Sequence, residues 1–94
     1  LKLSFEWDEE KAKENYRKHE VSFEEGSTVL SDPFSITIND LDHSTDEQRY
    51  IDIGSSEGGR ILVVSYTERN RGIRIISCRK ATRLERRRYE EGIN

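Results

Sequence analysis

No stretch of the 94-residue chain approaches the roughly 18 consecutive apolar residues of a membrane-spanning helix, and the N-terminus is charged too early for a signal peptide. A soluble, cytoplasmic protein is the expectation. There is one cysteine, Cys78, so no internal disulfide can form, and its place in a strand-like run reads as a small buried hydrophobe. Two histidines far apart, no paired cysteines and scattered carboxylates give no metal-ligand spacing, and no metal or cofactor is expected. Gly58-Gly59 precedes a strand rather than a helix, unlike a nucleotide-phosphate loop. Serines and histidines occur without any spacing that links them as a nucleophilic triad. No methionine occurs and Leu1 comes first, from which a natural start outside this sequence is expected. Apolar residues are scarce too: Leu, Ile, Val and Phe make up 22 of 94, just above the range in which a chain stays disordered. One domain over 1–94 with a modest core follows.

What is abundant is charge, and it is unevenly placed. Residues 1–48 hold 5 Lys/Arg against 13 Asp/Glu, whereas residues 49–94 hold 11 against 6, so a net charge of −3 conceals halves of −8 and +5. Either the second half presents a surface for an anion, or the two halves neutralise each other within the fold.

The densest apolar run, Arg60 to Lys80, reads as a β-hairpin. Ile61–Tyr66 and Ile73–Cys78 are rich in β-branched residues, and Asn70-Arg71-Gly72 between them suits a turn. A three-residue loop would put Gly72 in the left-handed region, pair Arg69 with Ile73, set Glu68 across from Arg74, and gather Leu62, Val64 and Tyr66 on one face with Ile76 and Cys78. Ile61, Val63 and Ile75 would lie on the other. A two-residue loop, Asn70-Arg71, would shift the pairing by one and set Leu62 opposite Arg79. The three-residue loop is the preferred reading.

Around this hairpin, Phe5-Glu6-Trp7 is a short extended start and Asp8 can cap a helix over Glu9–His19 with a seam of Ala12, Tyr16 and His19. Ser22-x-x-Glu25 is a capping box for a second helix reaching about Leu30, with Phe23, Ser27 and Leu30 inward, stopped by Asp32-Pro33. Phe34, Ile36 and Ile38 alternate with polar residues as an edge strand does. Asp40 to Gln48 is a polar, acidic loop. Arg49–Ile53 is a further strand with Ile51 and Ile53 on one side and Tyr50 and Asp52 on the other. Thr82-x-x-Glu85 opens a terminal helix that ends at Gly92. Arg83, Arg86 and Arg87 share one of its faces, either solvated beside Glu90 and Glu91 or as a phosphate or partner contact. The expected fold is α+β, two N-terminal helices packed on a four-stranded antiparallel sheet with a C-terminal helix.

Chemistry without a metal is within reach of such a chain. Arg60, Arg69 and Arg79-Lys80 fall at strand ends, where guanidinium forks on a rigid sheet suit phosphate oxygens. RNA carries its own nucleophile, the 2′-OH, so cleavage needs only a base, an acid and cationic stabilisers. Candidate bases or acids are His19, His43, Glu47 and Glu68. His19, on a helical seam, reads first as a structural imidazole.

Phe5-Glu6-Trp7-Asp8, Lys11-Ala12 and Asn15, Lys18-His19-x-Val21-Ser22-Phe23-Glu24-Glu25, Asp32-Pro33, His43, Glu47-x-Arg49-Tyr50, Ile53-Gly54, Gly59-Arg60, Val63-Val64-x-Tyr66-Thr67-Glu68-Arg69 and Arg74-Ile75-Ile76-Ser77-x-Arg79-Lys80-Ala81-Thr82-x-x-Glu85 run in order along nearly the whole chain. In these elements the sequence resembles the BrnT toxin family. The resemblance implies a RelE-like fold, a ribonuclease that halts translation by cleaving mRNA, and a BrnA-type antitoxin. That antitoxin would be a DNA-binding dimer that carries the complex to operator DNA. It further implies that the recurring polar positions are Lys18, His19, Glu47, Arg60, Glu68, Arg69, Arg79 and Lys80. Arg60 and Arg79 are expected to hold the scissile phosphate and Glu47 or His19 to move protons, with Glu68 as a further catalytic candidate and Lys18, Arg69 and Lys80 as substrate contacts. Gly26 and Cys78 depart from the family pattern, where Ala is expected at both. The alternative is a non-catalytic relative that keeps antitoxin binding and serves in operon repression. A general RNA-binding module fits less well, because base-stacking aromatic platforms are not evident in the strands.

Overall fold

The computed structural model describes residues 3–43 and 47–93. The chain runs β1 (Ser4–Glu6), α1 (Glu9–His19), α2 (Phe23–Thr28) with a 3-10 turn (Val29–Ser31), β2 (Ile36–Asn39), β3 (Arg49–Ser55), β4 (Ile61–Arg69), β5 (Gly72–Lys80) and α3 (Arg83–Ile93). The strands form one sheet in the order β1-β5-β4-β3-β2. Four of them are the antiparallel meander read from the sequence, with β2 at its edge. The fifth corrects the expectation: Ser4–Glu6 pairs in parallel with Gly72–Arg74, making the sheet mixed. Three residues are too few to show a period, and a parallel partner 68 positions away leaves no local signal. Gly72 admits this neighbour, since a Cβ there would lie 3.0 Å from the Ser4 carbonyl oxygen.

The central hairpin uses both of the registers that the sequence allowed. Near the turn the loop is Asn70-Arg71, with Arg69 opposite Gly72 and Glu68 opposite Ile73. Asn70, not Gly72, takes the left-handed conformation, at φ 55°. Between Ser65 and Tyr66 the register slips at a β-bulge that skips Ile76, and from there Ser65 faces Ser77, Val64 faces Cys78 and Leu62 faces Lys80, the three-residue alignment. One extra residue inverts which face each side chain takes. Ile73 and Ile75 therefore join Leu62, Val64, Tyr66 and Cys78 under the helices, and Ile75 does not share a face with Val63 as expected. Glu68 is correspondingly not across from Arg74, which faces Thr67.

The two N-terminal helices cover that face, and their buried positions differ from the expected stripes. Asp8 caps α1 through its carboxylate, which accepts from the backbone N–H groups of Glu10 and Lys11. The residue that α1 buries is Asn15, while Tyr16 is 57% exposed. Asn15 Nδ2 donates to the carbonyls of Cys78 (2.9 Å) and Val21 (3.0 Å), and its Oδ1 accepts from Cys78 N–H (3.1 Å). One side-chain amide thus meets the open edge of β5 as a neighbouring strand would, satisfying both backbone groups of Cys78. In α2 the inward positions are Phe23, Gly26 and, in the 3-10 turn, Val29, rather than Phe23, Ser27 and Leu30. Gly26 and Cys78 touch: a Cβ on Gly26 would fall 2.1 Å from Cys78 Sγ. Cys78 is fully buried, and burial pushes its thiol up to about 12, so it acts as packing. Trp7 closes this layer, its ring edge-on to Phe23 at 5.8 Å.

The opposite face is covered in part by α3. Ile53, Val63 and Tyr89 form a smaller core, and the Tyr89 hydroxyl donates to Asp32 Oδ2 at 2.5 Å. Burial alone would raise the Asp32 carboxyl, but donors from Ser55 N–H, Tyr89 and Phe34 N–H outweigh it and hold the group below its usual range. The start of α3 is fixed by a complete capping box. Thr82 N–H donates to Glu85 Oε1 (2.8 Å) and Glu85 N–H to Thr82 Oγ1 (3.2 Å). The Ser22 box is only half made, because Ser22 accepts from Glu25 N–H while the Glu25 carboxylate turns to Arg60 and Ser56. The last helix runs through Gly92 to Ile93 instead of stopping there.

Three outcomes follow from this packing. Asn15→Ala orphans the backbone pair of Cys78 and should cost about 2–6 kcal/mol, at about 1–3 kcal/mol per unsatisfied buried group, read as a lower urea midpoint. Gly26→Ala alone should cost about 1–3 kcal/mol through overpacking on Cys78. The double variant with Cys78→Ala should recover most of that loss, and additive single effects in this cycle would show that the two side chains do not compete for space. Arg79 holds Glu85 in a bidentate pair (2.8 and 2.9 Å) and lowers its carboxyl from 4.5 to about 2. A depressed carboxylate stabilises the fold above its unfolded pKa and loses that contribution as pH falls through the folded value. Arg79→Ala should therefore flatten the decline of unfolding free energy between pH 4.5 and 2, seen in urea titrations at several pH values.

Candidate active site

Strand alternation sends Arg49, Thr67 and Arg69 to the same side of the sheet, and the cross-strand register sets Arg49 opposite Thr67 and Thr67 opposite Arg74. These residues floor a cavity of about 200 Å³ whose walls add Lys11 of α1 and His43 and Glu47 from the loop between β2 and β3. Positions 44–46 of that loop lie outside the described residues. Glu47 and Arg69 meet fork to fork, Oε2 to Nε at 2.8 Å and Oε1 to Nη2 at 2.7 Å. The Arg69 guanidinium holds the Glu47 carboxyl below its ordinary range, so Glu47 enters neutral solution as an acceptor. His43 contacts Asp40 through Nδ1, at 3.0 and 3.1 Å from the two carboxylate oxygens. With Nδ1–H directed at Asp40, Nε2 is the nitrogen left to exchange a proton. Arg74 reaches Glu6 at 3.3 Å from the outer edge. Thr67 Oγ1 is buried with no hydrogen-bond partner among the described residues. A proton acceptor, an oriented imidazole and three guanidinium groups therefore surround one small polar space, the set that phosphodiester cleavage by an internal hydroxyl requires.

The other residues expected at the site are distributed along the sheet. Lys18 and His19 line an adjoining cavity of about 230 Å³ that shares Lys11 and Ile76 with the first. Arg60 and Lys80 line a third, of about 380 Å³, with Arg86 and Glu90. Arg60 immediately precedes β4 and Arg69 ends it, a separation of about 30 Å at 3.3 Å per residue, so the two cannot hold one phosphate. Arg60 is instead clamped by Glu25, Nε to Oε2 at 2.9 Å with a second short contact from Nη2 to Oε1. Arg79 lies roughly 17 Å along β5 from Arg74 and is engaged by Glu85. Arg60 and Arg79 stand at the same end of the β4–β5 pair, the end away from Arg69 and Glu47, so their expected convergence with Glu47 is absent from this geometry. Glu68 is exposed and, by alternation, on the opposite side of β4 from Arg69.

Asp40, Lys11, Arg49 and Arg74 were not picked out as site residues from the sequence. A signal existed for Arg49: it stands two before Ile51 and four before Ile53 and so shares their face. The Asp40–His43 spacing of three in a tight loop was a weaker one. Cavity size was no guide either. A larger, apolar groove of about 540 Å³ between α1 and α2, lined by Trp7, Ala12, Tyr16 and Phe23, holds no comparable acid–base pair. Among the described residues no group of three or more His, Cys, Asp or Glu side chains is placed to hold a metal ion.

A family model described as the ribonuclease toxin BrnT of type II toxin–antitoxin systems matches residues 7–85. The crystal structure of the Brucella abortus ribonuclease toxin, BrnT, superposes with a TM-score of 0.66 at 24% sequence identity, covering 87% of this chain and 100% of that one. That likeness carries the fold: three helices on a mixed five-stranded sheet. No curated protein matches the chain. With the family model spanning most of its length, the chain belongs to the BrnT family of ribonuclease toxins.

Proposed function

We propose that the chain is a metal-independent endoribonuclease that cleaves mRNA and so inhibits translation, and that its cleavage site is the cavity formed by His43, Glu47, Arg49, Arg69 and Arg74. The observation that carries this reading is the meeting of the Glu47–Arg69 fork with the Asp40-anchored His43 in one polar cavity. The scissile phosphate enters among the three arginines and exchanges with Glu47 for the Arg69 fork. Released from its partner, Glu47 regains basicity and takes the proton of the 2′-OH. The O2′–P bond forms as the P–O5′ bond breaks, and His43 delivers a proton from Nε2 to the departing O5′, leaving a 2′,3′-cyclic phosphate and a 5′-OH end. Guanidinium charge is worth most on the phosphorane, where negative charge is greatest. His19 and Lys18, in the adjoining cavity, contact the substrate rather than the reacting atoms.

A type II toxin requires a protein antitoxin. We assign that role to a BrnA-type partner, which neutralises this chain by occlusion and, as a DNA-binding dimer, takes the complex to operator DNA.

The test is cleavage of a defined RNA by the purified chain in excess EDTA, with circular dichroism on every variant. Arg69→Ala is expected to lower the rate by about 10²–10³ and His43→Gln by about 10²–10⁴. Both should keep the far-ultraviolet spectrum of the wild type. Failure of the folded wild type to cleave, with antitoxin binding retained, would instead identify a non-catalytic relative.

A further inference from the structure

The scattered basic residues fall into line along one seam. Helix α1 lies beside β5, tied to it at Asn15 and Cys78; two cavities succeed one another along the join and a third lies beyond its end. The first holds Lys11, Arg74 and Ile76; the second shares Lys11 and Ile76 and adds Lys18, His19 and Ser77. The third lies beyond the end of the strand, where Lys80 meets Arg60 and Arg86 of α3. From Arg74 to Lys80 the backbone spans about 20 Å at 3.3 Å per residue. That path occupies most of a molecule whose extents are 34 × 30 × 26 Å.

The far cavity is rich in cations. Three cations line it against one carboxylate, Glu90. Glu25 grips Arg60 from behind, fixing its fork, and Glu20 Oε2 stands 4.0 Å from Lys80 Nζ. Arg86, like Lys11 and Lys18 along the same seam, has no ion-pair partner among the described residues. We propose that this seam is the path of a single RNA strand, with the scissile phosphate in the His43–Glu47 cavity and a second phosphate, several nucleotides away, in the Arg60–Lys80–Arg86 cavity. The inference rests on the ribonuclease reading above. It unites Lys18, His19, Arg60, Arg69 and Lys80, which cannot converge on one phosphate, as successive contacts to one backbone. Recognition is then electrostatic and tolerant of sequence along the path.

Binding of 2′-O-methyl RNA, which lacks the attacking hydroxyl, separates the path from the chemistry. Oligonucleotides of about 4 and about 16 nucleotides bracket the site size of small single-strand-binding domains. The wild type should bind the long one more tightly, and Arg86→Ala should reduce the salt slope of that binding, log K against log salt, by about 0.7 while leaving the short one unchanged. Lys18→Ala should lower the same slope. Equal affinity and slope of wild type and Arg86→Ala on the long RNA would overturn the path while leaving the cleavage reading standing. No binding of either RNA by the wild type would overturn both. An Arg86→Ala defect with polyglutamate and none with RNA would assign the far cavity to an acidic protein segment, and overturn the proposal.

Discussion

The hydrogen bonds between Asn15 and Cys78 set where everything else can be. Without them β5 would expose an unpaired edge below the three residues covered by β1, and α1 would have little to hold it, since Asn15 is the residue of α1 that is buried. A thin, polar helix cannot be fixed by hydrophobic area alone. A single amide that donates to one carbonyl and accepts from the adjacent N–H supplies both register and orientation. It places Lys11 along β5 about two turns from Lys18 and His19, instead of around a freely rotating cylinder. Any use of that seam depends on this attachment.

The opposition of an acidic first half and a basic second half resolves into pairs rather than into two faces. Glu6 meets Arg74, Glu20 meets Lys80, Glu25 meets Arg60 and Glu47 meets Arg69, each joining one half to the other. Exposed pairs of this kind contribute little to stability, about 0–1 kcal/mol each. Their consequence is positional. A bidentate carboxylate holds a guanidinium at a fixed angle in the absence of ligand, and a phosphate that replaces it finds the fork already oriented. The same pairing tempers affinity for polyanions at large, because a phosphate that takes the Arg69 fork must displace a resident carboxylate.

The sequence carried the four antiparallel strands, the three helices and the caps at Asp8, Ser22 and Thr82, because period, capping residues and turns are local properties. What it could not carry were choices made by contact. Both hairpin registers were written into Arg60–Lys80, and the bulge at Ile76 uses each over half its length; only the demand that Ile73, Ile75 and Cys78 all face the helices selects that compromise. Tyr16 looked inward by spacing, yet Asn15 is inward because it alone can satisfy the backbone of Cys78. The site was legible in kind, as arginines with a carboxylate and a histidine, and Glu47 with Arg69 is common to the sequence reading and the cavity. Its membership was not, since strand-end arginines look alike in sequence but stand at opposite ends of the sheet. Arg60 and Arg69 are nine positions apart, with all of β4 up to Arg69 between them, and extension alone separates them.

Placing the acid–base groups at one end of a cationic seam, rather than at its centre, has a mechanistic consequence. Contacts remote from the reacting phosphate bind substrate and transition state equally, and so supply affinity without acceleration. Only groups within reach of the phosphorane discriminate between the two, on the proposed mechanism the arginines, Glu47 and His43 around the small cavity. His43 and Glu47 come from the loop after β2, whereas Arg49, Arg69 and Arg74 stand on strands. Strand-borne cations and loop-borne proton carriers are a division suited to the proposed reaction, in which the phosphate is held still while Glu47 moves from Arg69 toward a hydroxyl. On the proposed mechanism the Glu47–Arg69 fork is a resting state as well as a scaffold, holding the carboxylate at low basicity until a phosphate takes its place.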